Sequence, residues 1–334
     1  MAVDFSALEE AIRQDPGGRG IAGYRHAGRF LAEGMLERAA RDLADRADAV
    51  LIVTGFCIAD TDPVVAETDG PPGALYLARA LAELGLRVTL ASDGSALALL
   101  RLGRRLWHLD VDVIELPTQA VEAGDSIDDW LPPSLAQSLT HLISIERVGP
   151  SHTLDSLTAQ SGNSPAASAR FDMEVPLEHR DCCHNMRGVK IDAYTAPAHR
   201  WFEAARAGDR RIHTISVGDG GNEIGMGAIP WEALRAALPA EWSGRIICRV
   251  ASDDLIVAGV SNWGGYALAC AVASLRGRRD LIAHWDEARQ RELIETLVSE
   301  GGAVDGVTRR REATVDGLPI DLYLGVLERI RHLC

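Results

Sequence analysis

The chain has 334 residues, 47% of them hydrophobic and 25% charged, with a formal net charge of −14. That composition belongs to a globular α/β chain large enough to bury a sizeable core, and the acidity argues against nucleic acid or an anionic membrane as a main partner. Six scattered cysteines include the adjacent Cys182 and Cys183, a pairing that matches no zinc spacing, so reduced thiols in a cytoplasmic protein are expected.

The opening MAVDFSALEEAIRQD predicts an acidic amphipathic helix, without the basic end and apolar centre of a secretory signal. No apolar run approaches the roughly 20 residues of a membrane-spanning helix. AVLIVTGF (residues 49–56) predicts a buried strand, and PPGALYLARALAELG predicts a helix entered through prolines and closed at Gly85. LRVTLAS predicts a second strand, followed at Asp93 by a helix to about Trp107; VDVIELP and HLISIER (141–147) predict two more strands. Residues 148–195 read as an irregular excursion rich in Ser, Pro, Asn and His, lying over the sheet edge. A helix APAHRWFEAARAG leads to strand RIHTISVG, a glycine-rich motif, a helix from about Ile224 and a strand RIICRVAS (245–252). Three further helices, NWGGYALACAVASLRG, DEARQRELIETLVSEGG and LPIDLYLGVLERIRHL, complete the pattern.

Continuous apolar strands alternating with helices predict one doubly wound, mostly parallel sheet covered on both faces, a Rossmann-like three-layer sandwich over 1–334. Ligands of such sheets sit beyond the carboxyl ends of the strands. That rule selects Thr54-Gly55, Ser92-Asp93, Glu146-Arg147, Gly218-Asp219 and Ser252-Asp253.

The segment SVGDGGNEIGMGAIP places five glycines in the ten residues 218–227, with Asp219, Asn222 and Glu223 among them. Glycines between strand and helix let main-chain amides approach an anion closely, and Asp219 and Glu223 add acid/base or metal-binding groups. A tight turn with one capping residue would need fewer polar side chains.

Two families carry a similar string. Gly218-Asp219-Gly220-Gly221-Asn222-Glu223 with Met226 resembles the Mg²⁺ loop of haloacid dehalogenase-type phosphatases, but Asp60-Thr61-Asp62, taken as the counterpart of their nucleophile, falls after Thr54-Gly55 in the wrong order. A longer resemblance, from about residue 49 to 274, is to the D-glutamate cyclase catalytic domain. It rests on GDGGNEIGMG, AGVSNWGGYALACA (258–271), TGF, ETDGPPGA, ERVG (146–149) and NMRGVKID (185–192). A third option is a non-catalytic protein that binds acidic amino acids.

The cyclase resemblance implies a lyase: D-glutamate loses water to give 5-oxo-D-proline, with an acidic D-amino acid as the small-molecule partner. The amine and the γ-carboxyl are already tethered, so orientation supplies most of the advantage. The protein must hold the α-carboxylate, take a proton from the ammonium and give one to the departing oxygen. Arg187 is the first choice for the carboxylate clamp and Arg147 the second, against an ion pair with Glu146 or another acid. Asp219 and Glu223 are the expected acid/base pair, with the amides of Gly220 and Gly221 holding the other carboxylate, and Asn222 and Asn185 beside them.

Glu67, Thr68 and Asp69 form a loop that either binds substrate or caps the following helix; Thr54 ends a strand next to it. Asn262 is expected to donate hydrogen bonds to substrate, against an N-cap at Ser261 with Trp263 in the core. No cofactor is required by the reaction. A divalent cation, Mg²⁺ or Mn²⁺ on Asp219, Glu223 and Asp253, is left open, as is a homodimer. His184 and His199 are either proton carriers or structural, and Cys57 is expected to be a packed thiol.

Overall fold

The computed structural model describes residues 3–18, 20–116, 131–207, 211–238 and 240–334. Six parallel strands make the main sheet: β1 Ala49–Thr54, β2 Arg87–Ser92, β3 Asp112–Glu115, β4 His141–Ile145, β5 His213–Gly218 and β6 Asp254–Val257. Their spatial order is β6-β5-β4-β1-β2-β3. The chain therefore winds outward from β1 to β3, returns to the middle at β4, and winds outward the other way. That reversal opens a crevice between the carboxyl ends of β1 and β4.

The helices are α1 Phe5–Ile12, α2 Met35–Arg46, α3 Pro71–Glu83, α4 Gly94–Leu106, α5 Pro165–Glu174, α6 His199–Ala207, α7 Ser261–Leu275, α8 Glu287–Ser299 and α9 Ile320–Leu333, with shorter turns between them. Alternate strand residues serve two cores. Val50, Ile52, Leu90, Ile143, Ile145, Ile215 and Val217 pack under α1 to α4 and α7 to α9. Leu51, Val53, Ala91, Leu142, Leu255 and Val257 pack against α5, α6 and the buried Trp231. Both faces are thus covered, which is why β1 reads as an unbroken apolar run.

Local signals set the helix ends as expected. α3 begins at Pro71-Pro72, where missing amide protons cost nothing, and the chain leaves it through Gly85 at φ +86°. Three expected elements differ. Residues 245–252 are not a strand; the sixth strand is the next apolar run, DLIV, paired with Ile215–Gly218 in the order 254 to 257. Ile246, Ile247, Cys248 and Val250 are buried all the same. Their backbone bonds go to loops: Cys248 N–H donates to Gly221 C=O, and Val250 C=O accepts from Gly225 and Gly227. Burial without a ladder partner mimics a strand in sequence. The helix expected from Ile224 starts at Trp231 instead, after a run of turns. Residues 148–195 are less irregular than expected, because Ser164 caps the ten-residue α5 and Thr153 caps a turn of helix at Leu154–Ala159.

α3 and α7 cross with their first turns in contact. A β-carbon on Gly73 would stand 2.9 Å from Asn262 Cα, and one on Gly265 would stand 3.0 Å from Gly73 C=O. These glycines let the helix starts approach each other, and the site depends on that approach. Gly73→Ala is expected to lower stability by about 1–3 kcal/mol through overpacking. Gly325→Ala, inside α9 with nothing within 4 Å of the new carbon, is expected to raise it by about 0.5–1 kcal/mol. Urea unfolding of both variants checks the pair; equal effects would show that helix propensity alone governs them.

Candidate active site

After β1 the chain makes a small hairpin, in which Cys57–Ile58 pair with Val65–Ala66, and reaches Glu67, Thr68, Asp69 and Gly70 before α3. Asp69 caps a helix, but not the one it precedes. Its Oδ2 accepts from Ser261 N–H at 2.9 Å and its Oδ1 from Asn262 N–H at 2.8 Å, the first amides of α7. Asn262 returns the arrangement, its Oδ1 accepting from Gly70 N–H at 3.0 Å and Gly73 N–H at 2.7 Å at the start of α3. Two helix N-termini thus face each other, each closed by a side chain from the other's entry. Their partial positive ends favour negative charge between them.

Glu146 lies at the end of β4, on the other side of the crevice. It is buried and held in the left-handed region at φ +46°, an uncommon conformation for this residue that marks a backbone fixed by its surroundings. Ser261 Oγ donates to its Oε2 at 2.5 Å. Oxygen atoms of Asp69, Glu146 and Asp219 lie within 4.8 Å of one another, all three residues buried. Thr54 Oγ1 and Glu146 Cβ both come within 3 Å of where a β-carbon of Gly70 would be, so Gly70 at φ +97° admits the strand ends to the loop. Thr54 Oγ1 has no hydrogen-bond partner among the described residues and is fully buried.

The electrostatics follow from crowding. Burial raises the carboxyl of Asp69 well above its ordinary value, and the charges of Asp316, Asp219 and Glu67 add to it. Burial raises Glu146 likewise, with Asp219, Glu223, Asp69 and Glu67 contributing. Carboxyls pushed this way keep their protons to higher pH than ordinary ones, the property an acid catalyst uses.

A pocket of about 200 Å³ opens onto this cluster, lined at its depth by Glu67 and Glu146 and at its mouth by Asp60, Asn185, Arg187 and Arg309. A larger hollow of about 770 Å³, lined by Arg87, Asp112 and Pro132, lies at the amino ends of β2 and β3, the wrong end of the sheet for a ligand.

Several expected site residues are placed elsewhere or engaged otherwise. The amides of Gly220 and Gly221 are not free for a substrate carboxylate. They donate at 2.7 Å to the two oxygens of Glu223, and Asp219 N–H adds a third contact at 3.3 Å. The glycine-rich loop is a nest filled by its own Glu223, which shapes the loop that presents Asp219. Asn222 Nδ2 donates to His184 C=O at 2.7 Å, tying that loop to the 148–195 segment.

Arg147 is fully buried and forked onto Asp93, with further donations to Gly55 and Ala196 C=O, which joins the ends of β4 and β2. It is an internal ion pair and cannot reach a ligand. Asn262 is occupied as described, its Nδ2 donating to Thr68 C=O at 3.1 Å, and Thr68 Oγ1 donates to Thr314 C=O. Both are structural.

Asp253 is removed from any metal set. With the sixth strand at 254–257, it stands at the amino end of the sheet, where its Oδ2 accepts from Thr214 N–H and Oγ1. Asp219 follows β5 at the opposite end, five residues beyond Thr214 and so roughly 16 Å away at the rise of a strand. Asp254 is paired there with His213 at 2.6 Å. His184 lies beside His179 with the rings tilted by 40°, its Nε2 3.0 Å from His179 Nδ1, and burial lowers it to about 4; burial likewise lowers His199 to about 3. Both are neutral, and neither lines the pocket. Burial raises the Cys57 thiol to about 11, in keeping with a packed, unreactive group.

Asn185 and Arg187 do reach the pocket. Asn185 Oδ1 accepts from Arg187 N–H at 3.0 Å and Val189 N–H at 3.1 Å, forming the turn that carries Arg187. Glu146 and Arg309 were not assigned roles from sequence. Glu146 had a signal, since it ends the strand at the winding reversal; Arg309, in a loop far along the chain, had none.

A family model described as "D-glutamate cyclase-like, C-terminal" matches residues 8–179 and 159–331. The human protein "D-glutamate cyclase, mitochondrial" is 32% identical over 270 residues, 79% of this chain and 38% of that protein. The chain therefore spans well under half the length of this curated relative. Among the described residues no helix is long and apolar enough to cross a membrane.

The raised carboxyls make a pH prediction. From ordinary values of 4.5 for Glu146 and 3.8 for Asp69, both hold protons to higher pH folded than unfolded. Their contribution is complete below about pH 4 and is lost as pH rises through the folded values. Thermal melts from pH 5 to 8 should show a smaller loss of stability with rising pH for Glu146→Gln than for the unaltered chain. Parallel curves would remove Glu146 from the cluster.

Proposed function

The chain belongs to the D-glutamate cyclase-like family, and from that premise we propose that it is a hydro-lyase that closes D-glutamate to 5-oxo-D-proline. One observation carries this reading beyond the family: Glu146, buried against Asp69 and Asp219, lines one end of a pocket whose other end carries Arg187. Such a pocket suits a small molecule with a cation and a carboxyl group at its inner end and a carboxylate at its outer end.

The chemistry is a transfer of two protons. The amine nitrogen bonds to the γ-carbon and a γ-oxygen leaves; the two protons lost by the ammonium end on that oxygen as water. In this reading the substrate ammonium sits toward the carboxylates and its α-carboxylate on Arg187, which bends the chain so that nitrogen and γ-carbon meet. Glu146 is the group that faces the substrate. In its protonated form it gives a proton to the departing oxygen, and its anion takes one from nitrogen, which restores it. Asp219 carries the second proton from nitrogen to the same oxygen.

The three carboxylates and the unpartnered Thr54 Oγ1 are all hard oxygen donors, a set that fits Mg²⁺ or Mn²⁺. Asp69, Glu146 and Asp219 would hold the ion. When bound it would polarise the γ-carboxyl and supply positive charge that the cluster otherwise lacks. The metal set is thus revised from Asp219, Glu223 and Asp253.

Incubation with D-glutamate and separately with L-glutamate, followed by chromatography of 5-oxoproline, tests the reaction. Product is expected from the D-isomer, and no product from either would refute it. Asp219→Asn should cut turnover by about 10²-fold or more with its melting temperature retained. Mn²⁺ at about 100 times its Kd should stabilise the unaltered chain by about 2.7 kcal/mol and leave Glu146→Gln unmoved. Equal shifts would place the ion elsewhere.

A further inference from the structure

Three loops far apart in sequence meet at the mouth of the pocket, and each contributes one charged side chain. Asp60 comes from the hairpin between Cys57–Ile58 and Val65–Ala66, Arg187 from the turn built on Asn185, and Arg309 from the loop before α9. Arg187 Nη1 lies 3.7 Å from Asp60 Oδ2, and Arg309 Nη2 pairs with the same oxygen. Arg187 Nη2 also donates to Val307 C=O at 3.4 Å, so the second and third loops touch.

The loop carrying Arg309 is firmly built. Asp305 is fully buried; its Oδ1 accepts from Val307 N–H at 2.9 Å and Thr308 N–H at 2.7 Å, and its Oδ2 accepts from Gly317 N–H at 2.7 Å. Its C=O accepts from Arg309 N–H at 2.7 Å, fixing that residue in the left-handed region at φ +60°. An arrangement this closely held, around an arginine at a pocket's edge, sets the position of the guanidinium.

Two guanidinium groups sharing one carboxylate leave a surplus of one positive charge. The three side chains are between 30% and 50% exposed, so their pairing is screened by water and holds weakly. A second carboxylate would balance the charge, and planar guanidinium groups bind carboxylates through paired hydrogen bonds.

We propose that Arg309 and Arg187 together form a carboxylate clamp, and that Asp60 is an internal stand-in which occupies it until a ligand carboxylate displaces it. The proposal rests on the reading of the pocket as a site for an acidic amino acid. It adds a specificity device: a ligand without an outer carboxylate cannot displace Asp60. Asp60 thus has a recognition role, distinct from the phosphatase nucleophile that Asp60-Thr61-Asp62 resembled in sequence.

The test is titration calorimetry with glutarate, a five-carbon diacid without an amine, on the whole chain and on Arg309→Gln, Arg309→Lys and Asp60→Asn, with D-glutamate kinetics alongside. Arg309→Gln should weaken glutarate about tenfold, Arg309→Lys less, and Asp60→Asn should tighten it several-fold. KM for D-glutamate should move in the same directions with kcat nearly constant. Melting curves check that the exposed substitutions leave the fold intact. Glutarate affinity indifferent to these changes, weaker binding by Asp60→Asn, or no glutarate binding at all would overturn the clamp. Glutarate binding that follows the variants in a chain that never converts D-glutamate keeps the clamp and removes the cyclisation; turnover with indifferent glutarate binding does the reverse.

Discussion

Burying carboxylates beside one another is among the costlier things a protein does, and here two helix starts make it bearable. An isolated buried carboxylate carries a penalty of several kcal/mol. Asp69 offsets it with the first amides of α7, and Asn262 closes α3 in the same place. Opposed positive helix ends and amide hydrogen bonds let Asp69 sit next to Glu146 and Asp219. The offset is incomplete, so the carboxyls of Asp69 and Glu146 are raised. That residual strain is the chemical resource of the site.

Much of the remaining architecture serves this one juxtaposition. Gly73 and Gly265 let α3 and α7 come together. Arg147 and Asp93 lock the ends of β4 and β2, which fixes the backbone from which Glu146 projects. Glu223 fills the glycine nest and so positions Asp219. The sequence motif with the densest glycines thus holds its own Asp219 in place, and the residues that line the pocket come from other stretches.

Charge is arranged in depth. Acidic groups lie inside and two arginines lie at the rim, held by Asp60. The pattern is complementary to a zwitterion with an additional acid, which links the electrostatics to the family the chain belongs to. Under the proposed function, a net charge of −14 is compatible with binding an anionic amino acid. Local fields at short range outweigh the total charge, which is screened beyond roughly 8–10 Å.

The amino-acid sequence by itself determined the doubly wound class, the ends of most helices and five of the six strands, because those depend on local periodicity, prolines, glycines and caps. Its strand-end rule selected Asp219 and Glu146, while Asn185 and Arg187 came from the family resemblance. Only the tertiary structure decided what each polar group bonds to. Whether Asp69 caps α3 or α7, whether Arg147 meets substrate or Asp93, and whether the amides of Gly220 and Gly221 hold a ligand or Glu223 are all choices among partners with similar chemistry. Arg309 and Asp60 converge from loops about 250 residues apart in sequence because three loops fold over one crevice. The displacement of the last strand from 245–252 to Asp254–Val257 has the same origin: two apolar runs competed for the sheet edge, and only packing of the whole chain selected the second, carrying Asp253 to the far end of the molecule.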